Sequence, residues 1–246
     1  MIKIQKKFSF VTAIAVLLTL SIGASAQDQG PPNWFQIRTV NLHADGAAQW
    51  VDLQKQLVEA HKDEGEHRQA WEVTHGGMNT FHILSFHQNL AELDEQALTA
   101  PLVEDQANWV SSITPTIESR SLRLSRYHPD LSIPAEEGAT NNLAVLRHHY
   151  VRSGQHQAFQ AWVENELKPV MIEAGVTGMH FSRTAFGGDN SVWTSSNATD
   201  NWAELDQPNP IAGLSADQRA ELLGPYYEMV SHSEINVLHY RADLSY

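Results

Sequence analysis

The chain of 246 residues contains no cysteine. This absence excludes a disulfide scaffold, a thiolate metal site, an iron–sulfur centre and a cysteine nucleophile. Basic residues are also scarce, because 16 lysines and arginines stand against 29 acidic residues, which gives a formal net charge of -13. A nucleic-acid-binding protein needs a basic face to neutralise phosphates, and docking on an anionic membrane needs one as well. The charge therefore excludes both classes.

The sequence also lacks the familiar short catalytic motifs. It contains no G-x-S-x-G nucleophile elbow, no Walker loop and no G-x-G-x-x-G phosphate-binding turn. It does contain 42% hydrophobic residues, which excludes wholesale disorder, and 13 histidines. Because imidazole binds metals and moves protons near neutral pH, any chemistry is expected to be centred on histidine.

The first 26 residues have the pattern of an export signal. Residues 1–7 are basic, residues 8–22 form an apolar run, and Ala24 and Ala26 occupy the small-residue positions before a cleavage site. The apolar run has 15 residues, fewer than the roughly 20 that span a bilayer. The sequence therefore predicts a signal peptide over 1–26 and a periplasmic or secreted protein without membrane contact after cleavage.

Short matches at nearly constant spacing indicate that the mature chain repeats itself. Their offsets rise from 108 near the start to 111, 112 and 113 further on, and the matching segments are 45–46 with 153–154, 76–81 with 187–192, 91–94 with 203–206, and 127–132 with 240–245. A polar segment rich in helix breakers lies between the copies. We therefore predict a first half over 27–133, a linker over 134–141 and a second half over 142–246.

Each half has the pattern β-α-β-β-α-β. In the second half, apolar alternation predicts strands over 143–150, 179–184, 191–196 and 235–240, and apolar residues at three- and four-residue steps predict the helices between them. The first half has the same order, with strands predicted over 35–42, 70–75, 81–87 and 122–127. Pro169 lies inside one helical stripe and predicts a kink. This order is that of the ferredoxin-like unit, whose helices cover one sheet face and leave the other bare. We predict an α+β fold in which two tandem ferredoxin-like units shield each other's bare faces.

Two segments of the second half resemble a known superfamily. The segment 162–175, with Leu167-Lys168-Pro169-Val170 at its centre, and the segment 200–205 are similar to the NIPSNAP-like and antibiotic-biosynthesis-monooxygenase-like branches of the dimeric α/β-barrel superfamily. The tandem pattern over Trp34–Tyr246 resembles a fused form of that superfamily. The resemblance implies an intramolecular dimeric α/β barrel with a small-molecule ligand, and it leaves a homo-oligomer open.

The first strand of the second half carries the candidate chemistry. Where the first half has Thr39-Val40-Asn41-Leu42, the second has Arg147-His148-His149-Tyr150. Burying such side chains is costly unless they have partners, so a strand of this kind predicts a site. Strand alternation sends Arg147 and His149 to one face and His148 and Tyr150 to the other. The sequence leaves open which pair faces the cavity between the sheet and the helices.

We assign provisional roles to six residues. His148 and His149 are the candidate acids or bases, and Arg147 is the group that would stabilise an anion. The candidate ligand-positioning residues are Tyr150, Trp193 and His180. In the repeat, His82 is matched with Trp193, which indicates that the two halves have diverged at positions that line the cavities.

The cofactor question has several open answers. His75, His82 and His87 lie on one predicted hairpin and, with His239, are weaker candidates for a metal site. Superfamily members that degrade haem use an asparagine on the first strand, a tryptophan on the third strand and a histidine on the second helix. Asn41 and Trp193 match the first two positions, but in different halves. The sequence leaves a histidine-bound metal, haem or no cofactor open.

We expect an exported small-molecule-binding protein with oxygenase-like or proton-transfer chemistry on a small apolar or aromatic compound. The alternative is a ligand-binding or stress-related module without turnover. Substitution of His148 and His149 is expected to distinguish a ligand site from core packing.

Overall fold

The computed structural model describes residues 32–61, 68–96, 106–136, 142–207 and 209–246. The predicted signal peptide and most of the predicted linker lie outside these ranges. The strands are β1 Trp34–Leu42, β2 Arg68–His75, β3 Thr80–His87, β4 Ile117–Tyr127, β5 Leu143–Val151, β6 Met179–Phe186, β7 Val192–Thr199 and β8 Val230–Tyr240. The α-helices are α1 Ala47–His61, α2 Glu92–Gln96, α3 Gln106–Ile113, α4 His156–Trp162, α5 Lys168–Glu173, α6 Trp202–Leu205 and α7 Ala216–Met229.

The eight strands form one closed antiparallel barrel. Their order around the barrel is β1-β3-β2-β8-β5-β7-β6-β4. The predicted order β-α-β-β-α-β occurs twice along the chain. The two halves join edge to edge through the β2–β8 and β4–β6 pairs. The predicted α+β class is therefore confirmed, and the bare sheet faces become the interior of a barrel.

Three apolar clusters stabilise this arrangement. On the outside of the barrel wall, Trp50 and Phe81 centre one cluster under the helices of the first half, and Phe159 and Trp193 centre another in the second half. The third cluster contains Trp71, Val73, Ala144 and Leu238 and lies on the inner wall face by strand alternation. Both faces of the wall are therefore covered over much of its area. No helix in the described ranges has the length and apolar character that a membrane span requires.

The cross-strand registers of the two halves repeat with fixed offsets. Val40 pairs with Phe81 in the first half, and His149 pairs with Trp193 in the second. Together with the registers of the other strand pairs, including β2–β8 and β4–β6, these ladders make Val40 equivalent to His149 and Phe81 equivalent to Trp193. The sequence-based alignment of the first strands was wrong by one residue, and the match of His82 with Trp193 was wrong as well. A slip of one residue exchanges the two faces of a strand, so the hydrogen-bond ladder decides which residues are equivalent.

The predicted kink at Pro169 takes the form of a π-helical turn. Helix α4 continues through the π-helix Val163–Leu167 into α5, and the N–H of Lys168 donates to the carbonyl of Val163. A proline cannot donate a backbone hydrogen bond within a helix, and a wider turn before it accommodates the missing bond. The two helices therefore remain one continuous apolar stripe against the barrel.

Strands β4 and β8 are longer than the sequence pattern predicts. The pattern places their starts at Leu122 and Ile235, whereas the strands begin at Ile117 and Val230. The additional residues are largely exposed, so they lack the apolar alternation on which the prediction relied. Helix α7 therefore passes directly into β8 without a connecting loop.

Gly187 in the β6–β7 turn has a left-handed backbone and lies close to β4. The φ of Gly187 is +76°, and a Cβ at this position would lie 2.1 Å from the carbonyl oxygen of Leu122. Gly187→Ala is expected to lower the free energy of unfolding by about 2–4 kcal/mol, because the left-handed backbone and the backbone contact both oppose a side chain. Chemical denaturation measures this change.

Gly154→Ala is the matched control for this prediction. Gly154 has a similar φ of +81°, but a Cβ there would meet nothing within 4 Å. The control is expected to cost only about 1 kcal/mol, the cost of the backbone conformation alone. Equal losses in the two variants would contradict the close approach of the β6–β7 turn to β4.

Candidate functional site

Strand β5 sends the predicted site residues to opposite sides of the barrel wall. His148 and Tyr150 line a cavity inside the barrel. His149 packs under the helices, where its ring contacts Phe159. Arg147 shares the face of His149 by strand alternation, and its charge contributes to lowering the pKa of His149. The structure therefore does not bring the two histidines into one site.

His149 is a hydrogen-bonded core residue that is 5% exposed. Its Nδ1 lies 2.9 Å from Tyr226 Oη, and its Nε2 lies 3.0 Å from Ser195 Oγ. Burial lowers its pKa to about 3, with a smaller contribution from the charge of Arg147. The ring is therefore neutral, and both of its nitrogens are already used by the protein.

Aromatic side chains fill the space between the sheet and the helices around His149. The ring centroid of His149 lies 5.5 Å from that of Phe159 and 6.3 Å from that of Phe181. Trp162 and Trp193 pack on Phe159 at 5.8 and 5.5 Å. The sequence placed the ligand cavity in this layer, but the structure fills the layer around His149 with core side chains.

Trp193 belongs to this outer layer and not to the barrel interior. It is 1% exposed, and its indole N–H donates to His156 Nδ1 at 3.1 Å. The ring of His128 lies 4.8 Å from it, and the guanidinium of Arg183 lies 5.7 Å from its centroid. Its polar atom is satisfied and its ring faces are covered, so its contacts are those of a packing residue.

His180 lies at the opposite end of the barrel from His148. Its Nδ1 is 3.3 Å from Tyr127 Oη, and Tyr127 packs on Phe35 at 5.3 Å. Phe35 and Tyr127 belong to the start of β1 and the end of β4, whereas His148 is near the end of β5. Because neighbouring strands are antiparallel, these positions mark opposite ends of the barrel. The structure therefore separates His180 from the other predicted residues.

The inside of the barrel contains a cavity of about 280 Å³, which we call the barrel cavity. It lies at the end of the barrel where β1 and β5 finish and where the β2–β3 and β6–β7 turns occur. The residues that line its walls include Thr39, His82, Arg123, His148, Thr184 and Asn236. Its volume is close to the lower limit of about 300 Å³ that is typical of ligand pockets, so it suits a small molecule.

Two threonine–histidine pairs face each other across this cavity. Thr39 Oγ1 lies 2.9 Å from His82 Nδ1 in the first half, and Thr194 Oγ1 lies 2.9 Å from His148 Nδ1 in the second. The register makes Thr39 equivalent to His148 and His82 equivalent to Thr194, so the two residue types are exchanged between the strands. Each half therefore contributes one imidazole to the barrel cavity.

Both of these imidazoles are neutral at physiological pH. Burial lowers the pKa of His82 to about 3 and that of His148 to about 4, and the charge of Arg123 is the next cause in each case. Within the described chain, Nε2 of each ring makes no hydrogen bond. Because Nδ1 contacts a threonine hydroxyl that can donate or accept, Nε2 can act as acceptor or donor.

Arg123 supplies the positive charge of the barrel cavity. Its Nε is buried and has no hydrogen-bond partner. It has no ion-pair partner among the residues that the structure describes. Burial lowers its pKa, yet a guanidinium remains charged in proteins. The barrel cavity therefore contains a cation without an ion-pair partner beside two neutral imidazoles.

The floor of the barrel cavity is apolar. On three strands, the residue that lies two positions further from the opening is a leucine. These leucines are Leu84 below His82, Leu146 below His148 and Leu238 below Asn236. Leu238 is buried, and Leu84 and Leu146 pack against its cluster. The inner wall therefore changes from a polar layer to an apolar layer below it.

The rim of the barrel cavity is acidic. Tyr150 Oη donates to Glu234 Oε2 at 3.1 Å, and the Tyr150 ring stacks on His232 at 3.9 Å. Burial and the neighbouring Glu234 carboxylate raise the pKa of Tyr150. Asp189 in the β6–β7 turn accepts the backbone N–H of Ser191. Tyr150 thus forms part of the wall near the opening, where it is held by two neighbours.

The weaker metal candidates do not converge. His82 lines the barrel cavity, whereas His75 packs edge-on against Trp202 and His239 is exposed on β8. His87 is buried, with Nδ1 3.7 Å from Glu92 Oε2. In the described ranges, histidines and acidic residues do not gather in any group of three or more that could hold a metal ion.

The haem-degrading pattern is not assembled within either half. Asn41 accepts from Thr80 and donates to Ser119 on neighbouring strands. The corrected register makes Tyr150, and not His149, the second-half residue that is equivalent to Asn41. Trp193 lies under the helices of the other half. These residues do not fit a shared haem site.

Arg123 and the two threonines were missed in the sequence. On β4, Arg123 lies between Leu122 and Leu124, and alternation normally places leucines inside. Here Leu122 is 48% exposed and Arg123 faces the barrel interior. The threonines carry no signal of their own, because only the cross-strand register shows that each lies opposite a histidine.

No family model matches the chain, and no curated protein matches it in sequence. Its structure is similar to that of a candidate monooxygenase from Lactobacillus acidophilus, with a TM-score of 0.57 and 13% identity over 85% of this chain and 94% of that chain. An anthrone oxidase-like protein matches with a TM-score of 0.56 and 13% identity over 88% of this chain and 93% of that chain.

A mutant chlorite dismutase from Candidatus Nitrospira defluvii, solved in complex with cyanide, is also similar, with a TM-score of 0.51 and 8% identity over 89% of this chain and 95% of that chain. Identities this low show the fold alone. The chain is thus a closed α+β barrel whose fold is similar to those of these three structures.

Proposed function

We propose that this chain is an exported small-molecule-binding protein whose ligand occupies the barrel cavity. The observation that carries the proposal is a cavity of about 280 Å³ inside the barrel, lined by Arg123, His82 and His148. Small-molecule sites are concave and place a few polar groups against apolar surface, and this cavity combines polar walls with an apolar floor. Export to the periplasm or the medium rests on the pattern of residues 1–26.

We further propose that the barrel arose by duplication of one ferredoxin-like unit. The repeated element order, the matching registers and the equivalence of the two threonine–histidine pairs support this origin. Duplication would place the same inner-wall positions opposite each other, and later divergence would make the lining asymmetric. The halves proposed from the sequence, 27–133 and 142–246, and a further homo-oligomeric state stay predictions.

Proton-transfer or oxygenase-like catalysis on a small aromatic compound is a second candidate function. The observation that favours it is the neutral imidazole of His148 beside the charge of Arg123. A neutral imidazole with Nε2 facing the ligand can accept a proton, and a guanidinium stabilises the anion that remains. Tyr150 would restrict the ligand at the opening. In this proposal, the residues on the outer face of the barrel wall support the wall. These residues are Arg147, His149 and Trp193.

Binding of three aromatic probes tests the proposal. The mature protein is titrated with phenol, benzamide and benzoate by isothermal calorimetry and by NMR of the imidazole resonances. At least one probe is expected to bind, and His148→Leu is expected to weaken that binding about tenfold or more, because it removes a polar group that lines the cavity.

His239→Leu is the matched control, because His239 is an exposed histidine on the outer face of β8. The control is expected to bind the probes as the wild type does. Absence of binding by all three probes would refute the proposed function. Equal effects of the two substitutions would move the site away from the barrel cavity.

A further inference from the structure

We infer that the barrel cavity is specific for a small organic monoanion whose carboxylate or phenolate group binds the guanidinium of Arg123. This ligand class rests on the proposed function, because the cavity is the same. It adds a chemical requirement that simple cavity binding does not contain, namely one negative charge on a compact molecule with an apolar part.

The charge balance of the barrel cavity supports an anion. Among the residues that line the barrel cavity, Arg123 carries the positive charge, because His82 and His148 are neutral. Two lining residues are acidic: Glu234 lies opposite His148 in the β5–β8 ladder and accepts from Tyr150, and Asp189 accepts from Ser191. Neither forms an ion pair with Arg123. The guanidinium of Arg123 therefore lacks an anionic partner within the described residues and can pair with one anionic group of a ligand.

The cost of this arrangement indicates that Arg123 is retained for a ligand. A partly buried guanidinium without an anionic partner is destabilising, and the buried Nε of Arg123 also lacks a hydrogen bond. Strand β4 pairs with β1 in the first half as β8 pairs with β5 in the second. These registers make Asn236 the second-half residue that is equivalent to Arg123. The barrel wall thus accepts a neutral side chain at this position, so the fold itself does not need the charge.

The neutral histidines provide hydrogen bonds to the same anion. When the hydroxyls of Thr39 and Thr194 donate to Nδ1, Nε2 of His82 and His148 carries the proton and can donate to the ligand. Hydrogen bonds between such donors and a charged oxygen are stronger than neutral ones. The apolar layer of Leu84, Leu146 and Leu238 then faces the uncharged part of the ligand.

The test compares benzoate with benzamide, two probes of similar shape that differ by one charge. Wild-type protein is expected to bind benzoate about 10–100-fold more tightly than benzamide, because hydrogen bonds and ion pairs to a charged group are the stronger ones. Arg123→Gln is expected to abolish this preference, and Arg123→Lys is expected to keep part of it. Calorimetric titration measures the ratio of the two dissociation constants.

Arg120→Gln is the matched control, since Arg120 is an exposed arginine on the same strand. It is expected to preserve the preference for benzoate. Binding of benzamide and phenol without any preference for benzoate would overturn the monoanion while leaving the proposed function intact. Absence of binding by every probe would refute both. A preference for benzoate that survives in Arg123→Gln would also overturn the assignment to Arg123.

Thermal stability provides a second test of the same inference. Arg123→Met removes the unpaired charge and is expected to raise the melting temperature of the ligand-free protein by about 2–4 °C. Benzoate is expected to raise the melting temperature of the wild type but not that of Arg123→Met. If Arg123 were a structural residue, the substitution would instead lower the melting temperature, and this result would overturn the inference.

Discussion

Replacement of His149 by alanine is expected to lower the free energy of unfolding by about 3–5 kcal/mol. The substitution leaves a cavity among Phe159, Phe181 and Trp193, and it removes a hydrogen-bond partner of the buried Ser195 Oγ and of the half-buried Tyr226 Oη. A buried hydroxyl without a partner costs about 1–3 kcal/mol, part of which water entering the new cavity would offset. Urea denaturation measures the loss as a shift of the midpoint.

Two further variants make this prediction specific. His239→Ala, at an exposed position, is expected to change stability by less than about 0.5 kcal/mol. Tyr226→Phe removes one hydroxyl and is expected to cost about 1 kcal/mol in the wild type but less in the His149→Ala background, because the two groups share a hydrogen bond. Additive losses would show that His149 and Tyr226 do not interact. An unchanged midpoint for His149→Ala would contradict its role in the core.

Lowering the pH from 7 to 5 is expected to destabilise the protein by about 2 kcal/mol for each of His82, His148 and His149. Burial holds the pKa values of these residues at about 3, 4 and 3, below the ordinary 6.5 of the unfolded chain. Between the folded and unfolded values the unfolded state binds more protons, so stability falls as the pH falls. The stability that the neutral histidines contribute is fully present above about pH 7, and it decreases on acidification until the histidines of the folded protein themselves become protonated.

Denaturation midpoints between pH 5 and pH 7 measure this dependence. Carboxylates with lowered pKa values, such as Asp243 at about 2, change the stability only below their ordinary pKa of 3.8. Their effect therefore lies outside the range from pH 5 to pH 7. Burial also lowers the pKa values of His128 and His180, which adds to the loss in the same direction. His148→Gln removes one titrating group and is expected to reduce the slope by about one proton. Stability that rises on acidification would contradict the buried neutral histidines.

These variants distinguish the ligand-binding role of His148 from the packing role of His149, two residues that the sequence analysis assigns to one site. His148 and His149 are neighbours in the chain, and substitution of both together would combine a cavity effect with a core effect. The structure assigns His148 to the lining of the barrel cavity and His149 to the layer under the helices. His148→Leu is therefore a binding test, and His149→Ala is a stability test.

The element order was accessible from the sequence because apolar periodicity reports burial. The stripe around Phe159, Trp162 and Leu167 predicted the helix of the second half, and the π-turn before Pro169 is the local response to a missing donor. The early parts of β4 and β8 escaped detection, because exposed polar residues carry no such periodicity. Burial patterns thus identify elements that pack on a core and miss the extensions that do not.

The composition of the site was accessible only in part. His148, Tyr150 and His82 drew attention as polar residues on predicted strands, and all three line the barrel cavity. Arg123 was hidden because Leu122 and Leu124 suggested the opposite orientation of β4. His149 and Trp193 were grouped with His148 because the sequence contains no measure of distance across the barrel wall.

The sequence by itself determined the absence of thiol chemistry, the strongly acidic character and the twofold β-α-β-β-α-β order, since composition and periodicity are local properties. Only the tertiary structure decided which face of β5 lines the barrel cavity, which residues of the two halves are equivalent and which cation lies inside the barrel cavity. The physical reason is that both faces of this barrel wall are covered, so burial is high on either side and alternation cannot distinguish inside from outside. That distinction depends on hydrogen-bond ladders between strands far apart in the chain, such as β5 with β7 and β4 with β1.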